Sequence, residues 1–237
     1  MYSSKLIGIT LFIFLISSQI FSQGIVRFGS SGNAMSPVLR QKLQTAELVN
    51  TDLQQLYHDI VNGRQVLNIE AGSGHWTFRL EENALISPDY FVTIAGHSGN
   101  EINKGITTKT YFGVAEGRSA SISLTIDHDF VNAMIVDGDR SLFIEQERIF
   151  DRSADQNSLI MYDAKDVMPD GTFSCGVTEL HDHKDEYTEA IELRSGQCKL
   201  LELAIASDAT MYTKFSNSVT NVQNHNIAVI NNVAFNY

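Results

Sequence analysis

The chain has 237 residues, with 17 basic and 28 acidic side chains and a formal net charge of −11 at pH 7. This surplus of acidic groups excludes a binding surface for nucleic acid or for an anionic membrane, because both need clustered Lys and Arg. With 43% hydrophobic residues and 3 Pro, the composition is that of a globular protein. Two cysteines are too few for a fold built on disulfides.

Residues 1–23 have the pattern of a secretory signal peptide. Lys5 supplies a basic start, an apolar stretch interrupted by Gly8 and Thr10 follows, and small polar residues then offer a cleavage site. The apolar stretch is shorter than the roughly 20 residues that a transmembrane helix needs. An uncleaved amino-terminal anchor is the alternative. We expect a secreted protein, periplasmic or extracellular, with no membrane association after signal removal.

The first predicted element of the exported chain is one amphipathic helix. Ser36 is a favourable N-cap, Pro37 suits the first helical position, and Asn62 and Gly63 tolerate the backbone that ends a helix. Apolar residues between them recur at spacings of three and four, which is the helical period: Leu39, Leu43, Ala46, Val49, Leu53, Leu56 and Ile60.

A period of two follows this helix as far as Phe150. Turn residues separate seven β-type runs: Val66–Ile69, Trp76–Leu80, Tyr90–Ile94, Thr110–Val114, Ser121–Ile126, Ala133–Val136 and Leu142–Ile144. Asp137-Gly138-Asp139 lacks the further oxygen ligands of a calcium loop, so we predict a hairpin turn there. The spacing predicts an antiparallel β-sandwich-like domain, and hence a mainly β protein with one helix ahead of its strands.

The chain changes character twice more. Residues 151–197 are polar and acidic, and we predict an extended linker there, apart from one β-type run at Leu159–Tyr162. The near-continuous apolar run Leu200–Ala206 predicts a strand buried on both faces. A helical stripe follows, formed by Val219, Val222, Asn226, Ile230, Val233 and Tyr237. We expect a strand and a helix of a second domain that is cut off.

Cys175 has two interpretations from its sequence context. Exported proteins usually pair their thiols, and a disulfide to Cys198 would close a loop of roughly 20 residues, worth on the order of 3 kcal/mol. Alternatively, Cys175 lies beside Gly176 in a turn-rich segment and could place its thiolate on a catalytic zinc ion, excluding the hydrolytic water. His181-Asp182-His183 is a weaker metal candidate, which we interpret as solvated surface.

Several segments, taken in chain order, resemble the precursors of reprolysin-type (adamalysin) zinc metalloproteases. Residues 110–124 and 137–145 are similar to the family's propeptide, where a Tyr, spaced Gly residues and a Ser-rich strand precede a strand ending in Ile-Glu. Cys175-Gly176-Val177 matches the family's cysteine-switch tripeptide. Residues 199–215 and 226–237 are similar to the first strand, connecting turn and first long helix of the catalytic domain.

The resemblance implies an order of domains. A signal peptide, 1–23, precedes a β-rich propeptide domain, 24–150. An acidic linker with the cysteine-switch-like segment, 151–197, leads to the start of a truncated α/β metalloprotease domain, 198–237. The chain would then be the amino-terminal fragment of a secreted zinc metalloendopeptidase precursor, kept latent by its prodomain.

The resemblance also implies roles and partners. Cys175 would be an inhibitory ligand of a zinc ion that the full catalytic domain holds, and Cys198 would pair with a cysteine of that domain. Arg194-Ser195 is the candidate processing site for an activating protease. The partners would be the protease's own catalytic domain and, for the full-length enzyme, protein or peptide substrates.

The chain departs from the family at two points. The family's switch has Pro and a basic residue shortly before the Cys, whereas here Pro169 stands six positions upstream with no basic residue between. None of the histidines begins the His-Glu-x-x-His zinc motif: His58, His75, His97, His128, His181, His183 and His225. We therefore expect this chain to be inactive alone and to hold no zinc. The alternative function is a complete secreted β-sandwich binding or adhesion module without catalysis.

Overall fold

The computed structural model describes residues 24–27, 35–63, 65–96, 99–103, 105–169 and 201–236, with 24–27, 96 and 99–103 described by their main chain alone. Several sequence predictions lie outside this part of the chain. They concern the signal peptide, Cys175, the His181-Asp182-His183 cluster, Arg194-Ser195 and Cys198.

The described residues form a mainly β structure, as predicted. The strands are β1 (Gly24–Arg27), β2 (Glu47–Asn50), β3 (Val66–Ala71), β4 (Gly74–Glu82), β5 (Val92–Gly96), β6 (Gly99–Asn103), β7 (Lys109–Ala115), β8 (Ala120–Asp127), β9 (Phe130–Asp137), β10 (Arg140–Gln146) and β11 (Ser158–Asp163). The α-helices are α1 (Pro37–Arg40), α2 (Leu53–Val61), α3 (Ala209–Lys214) and α4 (Val219–Phe235).

The strands do not form the predicted sandwich of two packed sheets. Within the described segments, nine strands make one sheet in the order β1-β3-β4-β7-β8-β9-β10-β11-β2, and β5 and β6 pair as a separate hairpin. All neighbours in the large sheet are antiparallel except β1, which runs parallel to β3. Strands β3 and β4, and β7 to β11, each pair with the next strand along the chain, and the pairing of β4 with β7 joins these two runs into one sheet.

The large sheet curls around one core. Glu47 in the edge strand β2 accepts hydrogen bonds from the main-chain N–H groups of Gly72 (2.6 Å) and Ser73 (2.8 Å), in the turn between β3 and β4. The two ends of the sheet are therefore close together at this point. The inner face and α2 share a cluster of buried side chains that includes Leu53, Ile60, Trp76, Phe78, Leu80, Ile122, Leu124, Ile126 and Ile135.

The predicted single helix is instead two helices separated by β2. Its ends are confirmed, since the Ser36 hydroxyl accepts from the N–H of Leu39 and Gly63 ends α2 with a φ of +91°. Between them Glu47–Asn50 pairs with β11, and the Asp52 carboxylate caps a new helix. The apolar residues of the two halves pack on opposite faces of the sheet, which one straight helix could not reach.

The carboxyl-terminal segment also differs from expectation. Residues 201–208 are not in a strand, and Leu201, Leu203 and Ile205 are 77%, 57% and 51% exposed. No strand in the described part of the chain lies beside this segment to satisfy its main chain. The predicted helix after it does form, and α4 packs on the outer face of β7, β8 and β9. None of the helices described here is long and apolar enough to span a membrane.

Candidate functional site: a polar interface between α4 and the sheet

Strand β8 alternates between apolar and polar residues, and its polar face is covered. Ile122, Leu124 and Ile126 face the core. Ser123 and Thr125 face outward, where the alternation alone would expose them to water. Both are nevertheless fully buried, because α4 lies across this face of the sheet.

The face of α4 that contacts the sheet is also rich in polar side chains. Its buried residues are Val222, Gln223, Asn224, Ile227, Ala228 and Asn231, a spacing that places them on one side of a helix. We call the contact the polar interface. On the sheet side it comprises Thr108, Ser123, Thr125, Asp127 and Asn132, and on the helix side Asn224, Asn231 and Asn232.

Asn231 uses both ends of its side-chain amide in this interface. Its Nδ2 donates to the main-chain carbonyl of Leu124 (3.1 Å) and to Oγ1 of Thr125 (3.2 Å). Its Oδ1 accepts from Nδ2 of Asn83 at 3.1 Å. A buried amide with every partner in place is stable, whereas removal of one partner leaves a costly unpaired group.

Asn224, two helical turns before Asn231, makes a second such set of contacts. Its Oδ1 accepts from Oγ1 of Thr108 at 2.6 Å, and its Nδ2 donates to Oδ2 of Asp127 at 3.0 Å. The other carboxylate oxygen of Asp127 accepts from the Thr107 hydroxyl (2.6 Å) and from the N–H of His128 (2.8 Å). The buried carboxylate thus has partners on both the sheet and the helix.

Asn232 connects α4 to a hydrogen-bonded chain that crosses the sheet. It accepts from the Ser123 hydroxyl (2.9 Å) and donates to Oδ1 of Asn132 (3.1 Å). Asn132 donates in turn to Glu145 (2.9 Å), whose second oxygen accepts from the Tyr162 hydroxyl (2.7 Å). Burial raises the pKa of the Glu145 carboxyl and that of the Tyr162 phenol.

The opposite face of α4 is apolar and exposed. Val229 and Val233 are 44% and 46% exposed. Val233 belongs to the helical stripe noted in the sequence, and the structure places it on this exposed face. The face turned to the sheet carries Asn224 and Asn231 because the Asn, Ser and Thr side chains of helix and sheet satisfy one another.

A second cluster of charged and aromatic groups lies at the end of the sheet. Trp76 is fully buried and donates its indole N–H to Asp137 at 3.1 Å. Arg118 forms an ion pair with the same carboxylate and lies 5.3 Å from the centre of the Trp76 ring. Gly138, with a φ of +66°, forms the predicted hairpin turn beside it. These contacts fix the turns at this end of the sheet and leave no open site.

The residues described here hold no candidate zinc centre. No group of three or more His, Cys, Asp and Glu side chains in this part of the chain is placed to bind a metal ion. His128 contacts the Tyr57 ring, and His225 packs on Phe215 at 4.6 Å between ring centres. The predicted zinc ligand, Cys175, lies outside the described residues.

Sequence reasoning did not identify the polar interface. The available signals were the Ser and Thr residues on one face of β8 and the recurrence of Asn at 224 and 231, seven residues apart. A scan against protein-family models and a search of curated proteins both find no match to this chain.

Proposed function

We propose that this chain is the amino-terminal part of a secreted zinc metalloendopeptidase precursor of the reprolysin type. Residues 1–23 would direct export, and the β-rich domain, predicted over 24–150 and joined in the structure by β11, would act as an inhibitory prodomain. The rest of the predicted linker 151–197 would carry the cysteine switch, and residues 198–237 would open the protease domain. The resemblance of the propeptide and cysteine-switch segments is the origin of this proposal.

The exposure of an apolar segment is the structural observation that carries the proposal. Leu201, Leu203 and Ile205 alternate along the chain as in a strand, yet all three are exposed. Burial of a Leu or Ile side chain stabilises a protein by about 1.5–3 kcal/mol, so this segment is suited to join a sheet supplied by another domain. The catalytic domain of the proposed protease would supply that sheet.

The exposed face of α4 supports the same conclusion. Val229 and Val233 lie on this face, and Asn226 of α4 donates to the Ser207 hydroxyl at 2.9 Å. This hydrogen bond joins α4 to the exposed segment that precedes it. Both uncovered apolar surfaces therefore belong to the stretch that resembles the start of a protease domain.

The proposed latency depends on Cys175. When bound by the catalytic domain, zinc activates the water that attacks the peptide bond. The Cys175 thiolate is a strong zinc ligand and would take the place of that water, which leaves the enzyme inactive. A cut at Arg194-Ser195 would separate the linker from the protease domain and let the thiolate leave.

A second candidate function is a complete secreted binding or adhesion module. It is favoured by the packing of α4, which is capped by Ser218 accepting from the N–H of Asn221 at 3.2 Å and which buries Asn231 against β8. This candidate requires a disulfide between Cys175 and Cys198 and no protease sequence downstream. The two candidates therefore differ in thiol state and in coding sequence.

Transcript sequencing past the Tyr237 codon tests the proposal first. An in-frame continuation with His-Glu-x-x-His supports the precursor, and a stop codon overturns it. The full precursor with Cys175→Ala is then expected to cleave a fluorogenic peptide library without processing, whereas the neighbouring Ser174→Ala control stays latent. Latency of both variants, or a Cys175–Cys198 disulfide in non-reducing peptide mapping, would rule out the switch.

A further inference from the structure

The polar interface has hydrogen-bonding groups on both of its sides, since the buried face of α4 carries Gln223, Asn224 and Asn231 beside three apolar residues. Separation of two apolar surfaces exposes them to water, which is the main cost of opening a protein core. When polar groups separate, they form hydrogen bonds to water in place of those to each other, so most of the bonding is recovered. For equal contact area, a polar interface therefore opens more easily than an apolar one.

The sheet side of the interface keeps internal partners when the helix is removed. Asp127 retains its bonds from the Thr107 hydroxyl and the His128 N–H, and Asn132 retains its bond to Glu145. Ser123 and Thr125 are short hydroxyl side chains that water can solvate at once. The vacated face would resemble the solvated polar face of an ordinary antiparallel sheet.

The apolar contacts that hold α4 are few. Val222, Ile227 and Ala228 are buried, and the Phe235 ring lies 5.6 Å from that of Phe112. Two further apolar residues of α4, Val229 and Val233, face away from the sheet and are exposed.

The chain that leads into α4 adds little packing. Residues 201–208 are exposed throughout, and α3 contains no buried residue. Arg152 donates to the carbonyl of Thr213 at 2.9 Å, and Phe215, which lies between α3 and α4 in the sequence, is buried. Outside the polar interface, the segment before α4 is therefore held to the sheet domain mainly by the Arg152–Thr213 hydrogen bond and the buried Phe215.

We propose that the outer face of β8 and β9 is a docking surface for an asparagine-bearing helix, which α4 occupies reversibly. α4 opens as a unit while the nine-stranded sheet stays folded. Specificity comes from the amide group, which is both donor and acceptor. An apolar side chain in place of Asn224 would remove the acceptor of the Thr108 hydroxyl and the donor to one carboxylate oxygen of Asp127. An apolar side chain in place of Asn231 would remove the acceptor of the Asn83 amide.

If the chain is a protease precursor, this surface is where the prodomain holds the first helix of the protease domain and later releases it. This role in the precursor rests on the proposed function. The docking itself does not, so its failure would leave the cysteine switch untouched, and failure of the switch would leave the docking untouched.

Native-state hydrogen exchange on the full chain tests the inference, because it reports opening of each element separately. We expect amides of α4 to be protected, but at least about ten-fold less than those of β8 and β9. In Asn224→Ala/Asn231→Ala, exchange in α4 should rise about ten-fold or more while exchange in β8 and β9 is unchanged. Thr125→Val removes a partner of Asn231 on the sheet side, and it should give a smaller rise in amide exchange that is confined to α4.

Asn226→Ala is the matched control, since Asn226 belongs to the same helix but bonds Ser207 instead of the sheet. It should leave α4 exchange near that of the unaltered chain. Equal protection of α4 and β8 would overturn the inference, because the helix would then open only with the whole domain. Absence of protection in α4 would overturn it as well, because the helix would not be docked.

Discussion

The indole Nε1 of Trp76 donates a hydrogen bond of 3.1 Å to Oδ2 of Asp137, which joins β4 to the end of β9. These strands are not neighbours in the sheet, whose order places β7 and β8 between them. The bond therefore spans the curl of the sheet, with Arg118 paired to the same carboxylate. A single acidic residue holds the turns at this end together.

Asp137→Ala should lower the free energy of unfolding by about 1–3 kcal/mol, because the buried indole N–H and the Arg118 guanidinium both lose their acceptor. Urea denaturation followed by Trp76 fluorescence measures the change. Asp139→Ala is the control, since Asp139 lies in the same turn but is exposed, and it should change stability by less than about 0.5 kcal/mol. Equal losses in the two variants would contradict the assigned role of Asp137.

Gly74→Ala should destabilise the protein because a Cβ there would lie 2.4 Å from the Trp76 ring, which is itself fully buried. Overpacking of this kind costs about 1–3 kcal/mol. The control is Gly72→Ala in the same hairpin, where the nearest atom to an added Cβ is a carboxylate oxygen of Glu47 at 3.3 Å, a much milder contact. Thermal unfolding should show the larger loss for Gly74→Ala, and the reverse order would refute the packing argument.

Glu145→Gln should change how stability depends on pH. Burial raises the pKa of Glu145 above its ordinary value of 4.5, so the folded state binds the proton more tightly than the unfolded state. Its contribution to stability is thus present below pH 4.5 and is lost as the pH rises through the folded pKa. Gln keeps an acceptor oxygen for Asn132 and can donate its Nε2–H to the Tyr162 oxygen, without the charge, so the variant should gain stability relative to the unaltered chain across that range.

Urea titrations of both proteins at a series of pH values measure this difference. Glu82→Gln serves as the control, since Glu82 is exposed and pairs with Lys109 on the surface. A difference between Glu145→Gln and the unaltered chain that does not vary with pH would show that Glu145 is not the titrating group.

His225 should make the packing of α3 and α4 sensitive to acid. Burial first, and then the nearby Lys214, lowers the pKa of His225 below its ordinary value of 6.5. The folded state therefore binds the proton more weakly, and stability is lost as the pH falls from 6.5 through the folded pKa. Substitution His225→Phe should remove this loss, because a ring that packs on Phe215 stays while the ionisable group goes.

Hydrogen exchange of α4 between pH 7 and pH 5, corrected for the intrinsic pH dependence, is the measurement. The exposed His58, replaced by Gln, provides the comparison, and it should behave as the unaltered chain does. An acid-induced loss of α4 protection that persists in His225→Phe would assign the sensitivity to another group.

Most strands could be predicted because a strand half buried in a sheet leaves a local signature. The alternation in residues 121–126 and the turn at Asp137-Gly138-Asp139 each fall within a few residues of the observed elements. How strands associate is not local. The single curled sheet depends on which edges meet, as where Glu47 reaches the turn at Gly72, and no periodicity encodes that contact.

The long predicted helix failed for a related reason. Leu39 and Leu56 lie on one helical stripe in the sequence, but they pack on opposite faces of the sheet. The polar interface was missed because amphipathic patterns assign apolar residues to the inside. Burial of Asn231 is stable because its side chain makes three hydrogen bonds, and the partners in those bonds come together only in the folded protein.

The sequence by itself determined that the protein is acidic and mainly β, and it determined where several caps and turns lie. Charge, the spacing of apolar residues and backbone preference are properties of short segments. Tertiary structure alone decided that the sheet is single and curled and that α4 turns its asparagines inward. It also decided that Leu201, Leu203 and Ile205 remain exposed. Burial depends on what lies opposite each side chain, and that is set by contacts between residues far apart in the chain.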